Sequence, residues 1–406
     1  MHQLHFFAIA VCAVFGLLLN WRIENYFHNR RLRTKKLRIH VNGIRGKSTV
    51  TRNLAGLLRA ANYHTIAKTT GSAACLIDPQ GNDHAIRRNG SPTILEQVNI
   101  IRGLSPEVDA LVIECMAIKP EYQRICEEKI VRSNIGVITN VREDHQDVLG
   151  FSLREIAGNL ALTFPIDGVL ITSEQSPDLL RLFRSVAEQR NTKLVVANPD
   201  DVTDLELNQF PYVAFKENIA IGLELAKVLG IDRSQALLGM AEAAPDPGAL
   251  RIEQTSFQNR ELTWCDLFAV NDRESVITCR QRIDSFTSRD SVKIGLLNNR
   301  ADREQRALQF ARIAALDLQL DFIALLGAYE KQVEAEILKQ GYPSENIIRL
   351  GAQRGILGQK LIEELLRKTN KQHIVLLGLV NIHTAQATSV REFFFGNADG
   401  GNDEPC

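Results

Sequence analysis

The chain carries no net charge, since 48 lysines and arginines stand against 48 aspartates and glutamates. That balance removes the global attraction expected of a nucleic-acid binder or of a protein built around acidic polymers. The seven cysteines (Cys12, Cys75, Cys115, Cys126, Cys265, Cys279 and Cys406) include no CxxC pair and no Cys/His cluster. Their scatter argues against zinc and against a disulfide framework, and fits a reducing compartment. No internal repeat is present. Long hydrophobic runs are missing too, with one exception. Phe6 to Leu19 contains no polar side chain, and the run extends to Leu4–Trp21 if His5 and Asn20 sit at interfaces. A spanning helix needs about 20 residues, with roughly 17 as a lower bound. Arg22, Arg30, Arg31, Arg33, Lys35, Lys36 and Arg38 follow it, against the single acid Glu24. No basic region precedes the run and no small-residue cleavage site follows, which disfavours a cleaved signal peptide. Residues 1–36 are therefore expected to form a single-pass anchor in the cell membrane, leaving the rest cytoplasmic. A short buried helix is the alternative.

The most informative stretch is Leu37–Asn53, LRIHVNGIRGKSTVTRN. Leu37, Ile39 and Val41 alternate as in a strand. Val50, Leu54, Leu57 and Leu58 then recur as on one side of a helix. Strand, glycine loop, Lys-Ser and helix is the context of a phosphate-binding loop. Gly43 and Gly46 let backbone N–H groups close on phosphate oxygens, and the helix N-terminus adds partial positive charge. Lys47 would reach the β- and γ-phosphates, and the hydroxyl of Ser48 or Thr49 would hold Mg²⁺. The long pattern GxxxxGK[ST] would place glycine at position 41, where the chain has Val41, so the match is to the shorter GxxGK[ST].

Further along, Tyr63–Gly71 reads as a short strand and a turn, Gly81–Gly90 as a charged surface excursion or hairpin, and Thr93–Gly103 as a helix. Arg87 and Arg88 in the excursion face two readings, contact with an anionic substrate or simple solvation. Val108–Glu114, Ile135–Asn140, Gly168–Ser173 and Lys193–Ala197 are near-continuous apolar runs separated by helices such as Phe215–Leu229. That alternation predicts an α/β fold with a mostly parallel sheet. Ligands of such sheets bind at the carboxyl ends of the strands. Glu114 stands at one such end and would suit Mg²⁺, a hard cation. A hydrogen-bonded sheet-edge acid is the alternative. His145, in the loop Asn140–Asp147 (NVREDHQD), is by itself a surface residue or a ligand. Ala243–Gly248 (AAPDPG) marks a boundary. Beyond it Leu262–Val270, Val292–Leu297, Phe322–Leu326, Ile347–Leu350 and His373–Val380 read as strands of a second, smaller α/β domain. The expected domains are 37–242 and 243–395, with a disordered tail at 396–406.

NGIRGKST after a strand, VIECM, TNVREDHQD and KENIAIGLELA occur in the order seen in the Mur ligase and folylpolyglutamate synthetase superfamily. Within it the chain most closely resembles the ATP-binding subunits of bacterial poly-γ-glutamate synthases, which start with an apolar segment, a basic stretch and a nearly identical HVNGIRGKSTVTR string. The resemblance is strong over Leu37–Leu229 and weak beyond. It implies a Mur-ligase-like P-loop ATPase domain, a C-terminal Rossmann-like domain, and an ATP- and Mg²⁺-dependent amide ligase. Such an enzyme would activate the γ-carboxylate of a glutamate chain as an acyl phosphate and join it to glutamate, releasing ADP and phosphate.

Carried over by position, Asn42, Gly43, Gly46 and Lys47 would meet the nucleotide phosphates, Ser48 or Thr49 the first Mg²⁺, Glu114 a metal near the γ-phosphate, and His145 a second ion. Asn218 would lie near the adenine. Arg251 would meet phosphate and Asp272 the ribose as the C-terminal domain closes over ATP. Small integral-membrane partner subunits would be implied, with glutamate or poly-γ-glutamate as substrate and no nucleic acid. The chain departs from the pattern in three places. The UDP-binding domain of many Mur ligases has no counterpart ahead of the loop, which disfavours a nucleotide-sugar peptide. The carbamylated lysine of an IAxxK-like segment is missing from Ile156–Leu160 (IAGNL). The basic residue two positions after the ribose aspartate is Glu274. Two readings compete with this one, another ligase of the same superfamily and a membrane-tethered ATPase that makes no bond.

Overall fold

The computed structural model describes residues 2–70, 74–88, 90–246, 252–268, 270, 273–284, 287–288, 290–351, 358–381 and 384–396, the side chains of 2–6, 8–10 and 274 excepted. The chain forms two compact units, Met1–Pro247 and Gly248–Cys406. Arg251, Asp272 and residues 397–406 lie outside the described residues.

In the first unit the apolar runs become strands β1 (Leu37–Asn42), β2 (Thr65–Lys68), β3 (Cys75–Ile77), β4 (Asp83–Ala85), β5 (Ala110–Glu114), β6 (Ile135–Ile138), β7 (Val169–Thr172) and β8 (Lys193–Val196). Their order across the sheet is β4-β3-β2-β5-β1-β6-β7-β8. The six strands from β2 to β8 run parallel. The two edge strands are antiparallel, so part of the charged excursion at 81–90 becomes the outer strand of a hairpin. β1 is central, and burial of both its faces removes the polar side that its alternation suggested. His40 and Asn42 are as buried as Ile39 and Val41. Buried polar groups need partners. His40 Nδ1 therefore sits 2.8 Å from Glu127 Oε2, and Glu127 Oε1 accepts from the backbone N–H and the hydroxyl of Ser133, both at 2.9 Å. Burial alone would depress the His40 pKa, but the Cys115 thiol and the Glu127 carboxylate beside it raise it to about 10.

The helix Lys47–Ala60 packs on β2 and β5 and against the helices Lys216–Leu229 and Arg233–Ala241. Its crossing with the last is close because both helices present glycine. A Cβ on Gly56 would collide with the Gly239 carbonyl oxygen. Before β1 the helix His2–Arg33 docks only at its C-terminal end. Leu32 enters a core cluster with Ile101, Val108 and Ile113, and His28 Nε2 meets the Ile130 carbonyl at 2.8 Å. Lys35, just beyond the helix, is buried and donates to Ser105 O at 2.7 Å and Val108 O at 2.9 Å. The expectation of a membrane-spanning helix here is not supported. Among the described residues no helix is long and apolar enough to cross a membrane.

The second unit holds β9 (Ile252–Phe257), β10 (Arg260–Asp266), β11 (Val292–Asn299), β12 (Phe322–Gly327), β13 (Ile347–Gly351) and β14 (His373–Leu379). Their order is β13-β12-β11-β14-β10-β9, with β9 alone antiparallel. β9 escapes a sequence reading because its hairpin to β10 turns on Gln258 and Asn259, both with positive φ (50° and 59°). Such turns usually announce themselves with Asn-Gly. The core is built on Trp264, stacked on Phe394 with centroids 5.0 Å apart.

Two outcomes are expected of this unit-by-unit packing. Gly56→Val should destabilise the protein by about 1–3 kcal/mol through overpacking. Gly158→Ala, in the helix Leu153–Leu160 with open space around it, should stabilise by roughly 0.5–1 kcal/mol. Urea unfolding midpoints decide both. His40 should make stability fall as pH rises from about 6.5 to 8. A pKa raised in the fold gives stability that is complete below the unfolded value and lost on the way to about 10. Glu127→Gln should flatten that slope in denaturation curves measured across the same window.

Candidate active site

The phosphate-type loop follows β1 directly. Gly43 has φ 127° and Gly46 φ 76°, both left-handed-side values suited to glycine. Each also has a neighbour that forbids a side chain. A Cβ on Gly43 would collide with the Thr139 hydroxyl, and one on Gly46 would lie 2.8 Å from Asn218 Oδ1. The loop is clamped from the end of β6. Ile44 N–H donates to Asn140 O at 3.3 Å, and Arg45 N–H to Asn140 Oδ1 at 3.0 Å. The Arg45 carbonyl accepts from Thr139 Oγ1 at 2.6 Å and Asn140 Nδ2 at 3.1 Å. The Arg45 guanidinium pairs with Asp144 at 3.0 Å.

Lys47 starts the helix and folds its ammonium back over the loop, donating to Gly43 O at 2.8 Å and Ile44 O at 3.2 Å. Desolvation lowers its pKa, while the Glu114 carboxylate acts in the opposite sense. Ser48 Oγ donates to Glu114 Oε2 at 2.9 Å, and the Thr70 backbone N–H donates to the same oxygen at 2.7 Å. Gln97 Nε2 holds the Glu114 carbonyl at 3.1 Å. Thr49 is half-buried in the first turn. A pocket of about 270 Å³ opens here, and Gly43, Arg45, Lys47, Glu114 and His145 are among its lining residues.

Asn42 lines the same pocket. Asn42 donates to Gln123 Oε1 at 2.8 Å and Thr163 Oγ1 at 3.1 Å, so its amide group ties β1 to the neighbouring segments. Asn218, in the helix Lys216–Leu229, is brought to Gly46 at the start of the loop helix. His145 is at the pocket in a left-handed conformation (φ 48°), with its Nε2 3.8 Å from Asp144 Oδ2. Leu160, at the place of the missing lysine, is buried in a core cluster. Asn159 donates to Leu149 O at 2.7 Å. Sequence reasoning missed Thr139, Asn140 and Asp144, although all three stand in the TNVREDHQD string. It also missed Thr70 and Gln97, whose contributions depend on β2 and the helix Leu95–Arg102 lying beside β5.

The site thus joins a glycine loop at the end of a central parallel strand to a serine hydroxyl and a carboxylate on a neighbouring strand. The Mur ligase middle domain matches residues 41–223. The fold is that of E. coli FolC in complex with ADP, with a TM-score of 0.64 at 14% identity over 93% of each chain. MurF from Acinetobacter baumannii gives 0.64 at 17% identity, over 92% of this chain and 79% of that one. A Yersinia pestis folylpolyglutamate synthase/dihydrofolate synthase complexed with AMPPNP and Mn ion gives 0.60 at 15% identity, over 91% and 92%.

Residues 252–395 match the poly-gamma-glutamate synthase CapB C-terminal domain. The capsule biosynthesis protein CapB of Bacillus anthracis is 36% identical over 383 residues, covering 93% of this chain and 81% of its own. The PGA synthase CapB of Bacillus subtilis (strain 168) is 35% identical over 381 residues, covering 93% and 94%. The chain belongs to the CapB family of poly-γ-glutamate synthases, ATP-dependent amide ligases on the Mur fold.

Gly46→Ala should abolish nucleotide binding, because its φ and its contact with Asn218 both reject a methyl group. Asn218→Gly combined with it should restore little, since the backbone strain remains. Equilibrium binding of a fluorescent ATP analogue checks both.

Proposed function

We propose that this chain joins glutamate to a poly-γ-glutamate chain at the expense of ATP. The γ-carboxylate at the chain end attacks the γ-phosphorus of ATP, releasing ADP and leaving an acyl phosphate. The amino group of the next glutamate then attacks the acyl carbon, and phosphate departs as the amide forms and the nitrogen loses its proton. The observation that carries this reading is the triad of Lys47, Ser48 and Glu114 at the mouth of one loop. One cation and two oxygen donors meet there, which supports this as the point where phosphate and carboxylate come together. Catalysis of that kind consists of positioning and charge neutralisation.

The residues fit Mg²⁺. Ser48 Oγ and Glu114 Oε2 stand 2.9 Å apart as hard oxygen donors. Among the described residues no group of three or more His, Cys, Asp or Glu gathers into a metal cage, which suits an ion that keeps several waters. When bound, Mg²⁺ neutralises charge on the phosphates and on the transferring group. Ser48 is the better placed of the two hydroxyls, and Thr70 N–H orients the Glu114 carboxylate. His145 would serve a second ion from its place on the pocket wall. Asn42, through its ties to Gln123 and Thr163, steadies the strand end beneath the nucleotide. Gly43 and Gly46 admit the phosphates, and Asn218 supports the loop from the adenine side.

The helix His2–Arg33 leaves Phe7, Val11, Phe15 and Leu18 exposed. We assign this helix to attachment at the cytoplasmic side of the membrane, where small integral-membrane subunits would take the growing polymer.

The full chain with ATP, Mg²⁺, oligo-γ-glutamate and hydroxylamine should yield a hydroxamate. Lys47→Ala should lower that yield about 100-fold or more, and His145→Ala should keep ATP binding while losing turnover. ATP hydrolysis indifferent to every carboxylate offered would overturn the ligase reading.

A further inference from the structure

Charge in this chain is balanced in total but not along its length. Seven lysines and arginines against one acid give residues 1–38 a formal charge of +6, which the neutral total balances with −6 over residues 39–406. The fold engages three of the seven cations. Lys35 is buried against the Ser105 and Val108 carbonyls, and Lys36 pairs with Asp109 at 2.9 Å. Arg38 donates to the Arg132 carbonyl at 2.8 Å. The other four lie on the helix His2–Arg33, with Arg22, Arg30 and Arg33 exposed and Arg31 half-buried. The one acid of the stretch, Glu24, lies 3.7 Å from Arg102, which belongs to the helix Leu95–Arg102.

The folded body adds to this charge. Arg102 and Arg132 are both exposed, and Arg132 Nη1 donates to Asn29 Oδ1 on the N-terminal helix. His28 registers the gathering. Burial lowers its pKa, the Ile130 carbonyl opposes that, and Arg132, Arg31 and Arg102 lower it further. Guanidinium groups from three separated parts of the chain therefore converge on the last turns of one helix. Just ahead of them Trp21 and Tyr26 are exposed, and ahead of those Phe15 and Leu18. Exposed tryptophan and tyrosine favour the headgroup level of a bilayer.

We propose that Arg22, Arg30, Arg31 and Arg33, with Arg102 and Arg132 of the folded body, form a docking surface for anionic phospholipid headgroups. The inference rests on the membrane-attachment reading of this helix and names the lipid class that it recognises. Apolar, aromatic and basic side chains follow one another along the helix, in the order of acyl boundary, headgroup and charged surface. The net negative remainder of the chain is repelled by such a surface, which favours approach through the basic stretch. A free anionic polymer would complement the arginines but leave the apolar and aromatic side chains without a role.

The test sediments the full chain with two kinds of vesicle, phosphatidylcholine alone and an equal mixture with phosphatidylglycerol. Wild type should bind the anionic vesicles about 100-fold more tightly, an advantage that shrinks as salt is raised. The triple variant Arg22→Gln/Arg30→Gln/Arg33→Gln should lose about 5-fold per arginine, roughly 100-fold in all. It should keep ATP binding and the weaker affinity for phosphatidylcholine. The Arg→Lys counterpart should retain most of the advantage, because a headgroup surface answers to charge more than to the guanidinium fork. Arg132→Gln alone should cost about 5-fold. Equal binding of wild type to both vesicles overturns the proposal, and so does an undiminished anionic preference in the triple variant. A triple variant that loses oligo-γ-glutamate binding while keeping that preference also overturns it, giving the arginines to the polymer. If the variants no longer bind ATP and so have not folded, the wild-type comparison and its salt dependence decide. Failure of wild type to bind either vesicle fails the attachment reading instead, a different result from loss of lipid preference.

Discussion

The first unit depends on one clamp: the end of β6 holds the phosphate loop open. A loop of this kind works by aiming backbone N–H groups outward, which leaves its own carbonyls in need of donors. Thr139 and Asn140 supply donors to the Arg45 carbonyl and acceptors to the Ile44 and Arg45 N–H groups. Lys47 caps the Gly43 and Ile44 carbonyls from within. The loop's shape is thereby settled before any ligand arrives, and its glycines follow from that shape. Gly43 is forced by Thr139 and Gly46 by Asn218.

Around the clamp, the charges are arranged so that each has a partner from a different element. Arg45 pairs with Asp144, Glu114 with Ser48 and Thr70, and Arg88 and Lys68 with Glu96. Held in this way, the groups need little reorganisation when phosphate and carboxylate meet, which is the basis of electrostatic preorganisation. The same habit appears behind the site, where His40 of β1 and Glu127 of the helical segment Cys126–Val131 are buried together. Such pairs add specificity more than net stability, because desolvation offsets most of their attraction.

The N-terminal helix shows how a local pattern and a length requirement diverge. Its apolar run is real, and those of its side chains that are described are exposed. Docking is confined among its described side chains to the C-terminal part, where His28 meets Ile130 and Leu32 and Lys35 meet the helix and turn ahead of β5. Among the described residues no helix is long and apolar enough to cross a membrane.

By itself the sequence determined what is local. Strand runs, the loop that begins at Gly43, the Lys-Ser pair and the carboxylate closing β5 are contiguous patterns whose physics is set within a few residues. It also located the TNVREDHQD string, because a polar run after an apolar strand marks a sheet end. Only the tertiary structure decided which members of that string matter to the loop. His145 stands out by residue type, whereas Thr139 and Asn140 hold the loop through hydrogen bonds made possible by β6 lying beside β1. The hydrogen bonds of Asn42 to Gln123 and Thr163 and the sharing of Glu96 between Lys68 and Arg88 are equally non-local. So is β9, whose Gln-Asn turn has no strong signal in the chain. Contacts across dozens of residues arise from strand order, and strand order is a property of the packed sheet.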